Sequence, residues 1–79
     1  MNKETLEKYI SLKKDIRQKT LELIESSKKT LKSLVAMQES NPLLNELAFQ
    51  AAVERERDFI KRCEIEIKEL DEAINNANR

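Results

Sequence analysis

In the second half of the chain, Phe49, Val53, Glu56, Ile60, Cys63, Ile67, Leu70, Ile74 and Ala77 follow one another in alternating steps of four and three without a slip. That spacing keeps side chains on one stripe of an α-helix and marks a coiled-coil seam. Ala52 and Phe59 widen the stripe, which suits packing against more than one neighbour. The first half is less regular. Leu6, Tyr9, Ile10, Ile16, Leu23, Ile24, Leu31, Leu34 and Val35 define its apolar side, and Thr20 and Ser27 leave polar gaps near the centre.

Strong punctuation comes at Ser40-Asn41-Pro42. Asn41 suits a cap, Pro42 suits a first helical turn, and a residue before proline resists the helical conformation. The pattern predicts a helix over about 3–39, a turn at 40–42 and a helix over about 42–77, each roughly 50 to 55 Å long at about 1.5 Å per residue. Two near-equal arms joined by a tight turn make an antiparallel two-helix hairpin, a single all-α domain over 1–79. The competing arrangement is one bent, continuous helix in an intermolecular coiled coil, because proline also occurs at kinks.

Folding the arms at Asn41 brings positions whose numbers sum to about 83 face to face, so Ile67 meets Ile16, Cys63 meets Thr20, Ile60 meets Leu23 and Phe49 meets Leu34. Glu56 then falls opposite Ser27, with Lys28, Lys29 and Thr30 nearby. Two readings of Glu56 stand side by side. A polar group inside the seam fixes register at some cost in stability, whereas a carboxylate at the seam margin simply reaches water.

Charge adds to the hairpin argument. Residues 1–39 hold nine Lys/Arg and six Asp/Glu, and residues 40–79 hold six and nine, so the arms carry +3 and −3 within a chain of zero net charge. Complementary arms favour pairing with each other over self-association of identical arms. Charged residues form 38% of the chain and aromatics 4%, which suits solvated helices better than sheets, and the sustained helical period argues against disorder.

The same composition narrows the chemistry. With no Gly, no His, no Trp and a single Cys, the chain lacks the parts of phosphate loops, zinc sites and most acid–base dyads, so no enzyme, metal or cofactor is expected. Glu54, Glu56 and Asp58, and Glu64, Glu66 and Glu69, are spaced mostly as solvated helix faces. Cys63 lies in the seam without a histidine to activate it, and reads as a small core residue. One cysteine forms no internal disulfide, which points to a reducing, cytoplasmic setting. The first residues open directly into alternating charge and the longest apolar run is Leu34 to Met37, so neither a secretory signal nor a membrane span is expected.

Nucleic acid has a weak case in Lys13, Lys14, Arg17 and Lys19, and in Lys28, Lys29 and Lys32, because acids lie beside both groups and no stacking aromatic set accompanies them. Mixed-sign helix faces argue equally against membrane-surface binding. Protein association is the stronger expectation. A hairpin of this size covers one side of each seam and needs further burial, and Leu43, Leu44, Leu47 and Ala51 form a second stripe on a different face of the second helix, with Leu12 and Leu21 at the margins of the first. Ordinary boundary packing around the turn is the simpler account of those leucines.

Ser40-Asn41-Pro42-Leu43-Leu44, and Ile67-Lys68-Glu69-Leu70-Asp71-Glu72-Ala73-Ile74 with Arg79, resemble the needle subunits of bacterial type III secretion systems. The resemblance covers about the second half of the chain. It implies a helical hairpin turning at the proline, and a needle subunit or one of the small needle chaperones that share the hairpin plan. The residues themselves point to a non-catalytic interaction module, an adaptor, small chaperone or assembly subunit. It would present Leu43, Leu44, Leu47 and Ala51 to another chain, or to a second copy, while Phe49, Val53, Glu56, Ile60, Cys63, Ile67, Leu70 and Ile74 hold the seam. A nucleic-acid-binding regulator is the alternative from a different class.

Overall fold

The computed structural model describes residues 2–41 and 46–79. They form two long helices, α1 (Lys3–Ser40) and α2 (Glu46–Ala77), packed along each other as an all-α antiparallel hairpin with extents of 61 × 15 × 14 Å. A single helix through the whole chain would extend on the order of 115 Å at 1.5 Å per residue, so the long dimension excludes the bent continuous rod.

Local chemistry sets the ends of α1. Asn2 has an extended backbone and its side chain accepts a 2.8 Å hydrogen bond from the Thr5 N–H, satisfying one of the free donors of the first turn. Glu4 adds negative charge beside that positive helix end and lies 3.6 Å from Lys8 one turn on. At the other end the Asn41 N–H donates to the Met37 carbonyl at 3.0 Å, and the Ser40 hydroxyl donates to Ala36 at 2.9 Å. Ser40, placed in the turn by the sequence, therefore still belongs to the helix. The predicted start of the second helix at Pro42 falls outside the described residues.

Glu56 and Ser27, whose numbers sum to 83, meet across the interface through a Ser27 hydroxyl that donates to the Glu56 carboxylate. Alternating steps of four and three on both arms carry this register along the rod. It sets Ile24 level with Ile60 and Thr20 level with Cys63, and Ile24, Ile60 and Cys63 form the central cluster with Leu31, Phe59 and Ile67 against it. Ile60 thus meets Ile24 and not Leu23. Leu23 is 52% exposed where Ile24 is 8% exposed, because one residue of offset turns a side chain about 100° round the helix.

The two arms contribute unequally. From α2, Phe49, Val53, Ile60, Cys63, Leu70 and Ile74 are buried, and Ile67 and Glu56 are half-buried. From α1 only Thr20, Ile24 and Ser27 are buried, two of them polar. None of the large side chains among the described residues is sealed below 2% exposure. Each layer is covered from one direction by one other helix, so it gains only part of the roughly 1.5–3 kcal/mol that full burial of an aliphatic or aromatic side chain supplies.

Candidate interaction surface

Polar groups inside the seam find partners locally. The Thr20 hydroxyl donates to the Ile16 carbonyl within its own helix at 2.8 Å, which removes the desolvation cost of a buried hydroxyl. Ser27 uses its hydroxyl across the interface, on Glu56. Among the described residues, no buried side-chain nitrogen or oxygen is without a hydrogen-bond partner. Glu56 combines both sequence readings. It is held by a buried serine, yet is itself only half-buried at the edge of the stripe.

Towards the open end, Arg17 Nε lies 2.6 Å from Asp71 Oδ1, a charge-assisted hydrogen bond that joins the arms. Both groups are more than a third exposed, so the pair contributes about 0–1 kcal/mol. Sequence spacing missed this tie, because Arg17 occupies a seam position that the apolar pattern passes over and its basic neighbours suggested a separate patch. The rest of that basic group is also dispersed. Lys13 lies over the Tyr9 ring at 5.4 Å from its centroid, a cation–π contact, and Lys14 and Lys19 point to solvent.

Cys63 is a free thiol in the central cluster. Burial pushes its ionisation above the ordinary thiol value, the Glu66 carboxylate pushes the same way, and Arg62 offsets part of the effect. The thiol is held in its weakly nucleophilic form. Glu54, Asp58, Glu64, Glu66 and Glu69 are exposed along α2. Among the described residues, no group of three or more Cys, Asp or Glu side chains is arranged to hold a metal ion, and no helix is long and apolar enough to cross a membrane.

The stripe expected to meet a partner is only partly visible, since Leu43 and Leu44 lie outside the described residues. Leu47 is 80% exposed and Ala51 is exposed, both on the side of α2 away from α1. The other large exposed apolar side chains are spread along the rod at Leu12, Leu23, Met37 and Ile65. On one broad side the helices leave open grooves between them. A groove of about 400 Å³ near the bend is lined by Leu31, Val35 and Ala36 under Lys28, Lys32 and Arg57, and a second, of about 290 Å³, lies between Leu21, Ile24, Glu64 and Ile67. Lys28 and Lys32, candidates for phosphate contacts by sequence, are here the charged rim of an apolar groove.

No family model, no curated protein and no solved structure matches this chain.

Proposed function

We propose that the chain is a non-catalytic protein–protein interaction module, an adaptor, small chaperone or assembly subunit that works by presenting helix faces to another chain. The observation that carries this reading is the incomplete cover of the seam. A helical pair 61 Å long seals none of its large described side chains and leaves Leu12, Leu23, Met37, Leu47 and Ile65 in water. Two helices of this size bury too little to be strongly stable alone, and a third or fourth helix is the cheapest supplement where disulfides and metals are missing from the composition. The free, buried Cys63 suits a reducing compartment such as the cytoplasm. A secretion needle subunit or its chaperone would be one member of this class.

Thermal melts with light scattering over a wide concentration range test the proposal. Apparent mass and melting temperature should rise together with concentration. A well-folded monomer with a concentration-independent melt would overturn it.

A further inference from the structure

Of the large apolar side chains left in water, Leu47 and Ile65 stand apart on the outer side of α2, and Leu12, Leu23 and Met37 fall together. Leu23 stands 11 residues beyond Leu12 and Met37 stands 14 beyond Leu23, close to three and four whole helical turns, so all three lie on one flank of α1. Half-buried Ile16 and Leu34 fill the same flank, and Lys19, Ser26, Thr30 and Ser33 interrupt it. The corresponding flank of α2 carries Ala48, Ala52, Phe59 and Ala73, interrupted by Arg55, Arg62, Glu66 and Glu69. In an antiparallel pair these two flanks lie on the same side of the rod, opposite the side where Lys28, Lys32, Arg57 and Glu64 rim the grooves. The hairpin therefore has one heavily charged broad face and one on which apolar side chains outnumber charged ones.

We propose that the apolar broad face, carrying Leu12, Leu23 and Phe59, docks on the same face of a second copy of this chain, related by rotation about the long axis, to complete an antiparallel four-helix bundle. The inference rests on the interaction-module reading and deepens it by naming the partner and the face. Three observations select a second copy in this arrangement. A contact that runs the 61 Å length of the rod can supply the roughly 800 Å² per partner of a stable complex, which a contact across its 15 by 14 Å end cannot. Rotation about the long axis lays each α1, in the +3 half, over α2 of the other copy, in the −3 half, and brings Lys19 level with Glu66 of the second copy. End-over-end rotation would lay like-charged arms together.

Size complementarity follows the same register. Leu12 comes level with Ala73 of the second copy, Leu34 with the space between its Ala48 and Ala52, and Leu23 with its Phe59, so large side chains mostly meet small ones. The stripe at Leu47 and Ala51 faces away from this interface.

Sedimentation equilibrium of the full chain, with circular dichroism on each variant, tests the arrangement. The wild-type mass should double with rising concentration. Leu23→Glu should weaken the dimer at least about tenfold with helicity retained, because Leu23 is already half exposed within one hairpin. Leu23→Ala provides a milder version of the same loss, and Leu47→Asp should leave the dimer intact. Lys19→Glu and Glu66→Lys should each weaken association several-fold, and combining them should restore it. A wild-type dimer unaffected by both Leu23 variants, or a charge-swapped pair no better than either single change, would overturn this face or this orientation while leaving the module reading in place. A concentration-independent monomer would overturn both.

Discussion

The hydrogen bond from Ser27 to Glu56 is the interaction that most constrains how the arms align. Sliding one helix by a single residue would separate the two groups and leave a half-buried carboxylate against aliphatic neighbours, so the correct register is favoured by the penalty on the others. Ser27→Ala should destabilise the hairpin by about 1–3 kcal/mol in urea unfolding, and Ser27→Ala with Glu56→Leu should recover most of that loss. A double variant as unstable as the single one would show that the carboxylate was not the burden. Cys63 makes a separate prediction about pH. Its folded ionisation lies above the unfolded value, so on raising the pH through the ordinary thiol range the unfolded chain releases its proton first, and stability must fall. The decline continues until the folded thiol also titrates. Urea midpoints measured from neutral to alkaline pH should show an extra decrease in the wild type that Cys63→Ala lacks.

At the scale of the helices, the two arms differ in how plainly the sequence announced them. In α2 the seam runs unbroken from Phe49 to Ile74 with bulky apolar groups at most steps, and its burial follows the pattern closely. In α1 the same spacing passes through Lys13, Arg17, Thr20 and Ser27, so apolar residues alone trace it poorly, and Leu23 looks like a seam residue when the helix turns it outward. The signal that would have placed Leu23 correctly is the continuous four-and-three ladder Arg17, Thr20, Ile24, Ser27, Leu31, which ignores polarity and follows geometry. The exposed flank was harder to see for the same reason. Apolar spacing alone puts Leu12 at the margin and Leu23 in the seam, and the helical phase that unites them with Met37 emerges only once the seam is placed. Fixing it separates two kinds of substitution. Ile60→Asp inserts an unpaired charge into the central cluster and should cost about 3–5 kcal/mol, enough to abolish the helical signal in circular dichroism. Leu47→Asp, on a side chain 80% exposed, should change stability within about 0.5 kcal/mol.

Seen whole, the molecule is a rod with complementary charge along its length and unlike broad faces, and its stability is expected to be a property of concentration as much as of sequence. For a dimer whose protomers are marginal alone, each tenfold rise in concentration adds about 1.4 kcal/mol to the stability of the assembly relative to unfolded chains. The melting temperature should therefore climb steadily across the accessible range and not plateau at micromolar concentration.

The antiparallel layout also decides how the rod answers mechanical force. Lys3 and Ala77 sit at the same end, so tension applied between them peels the pair apart one layer at a time, beginning at the Arg17–Asp71 side. Traction along α1 alone, between Lys3 and Ser40, instead loads the hydrogen bonds of that helix and leaves the contacts between the arms unloaded. The contacts between the arms therefore answer only to force that separates the two ends lying side by side.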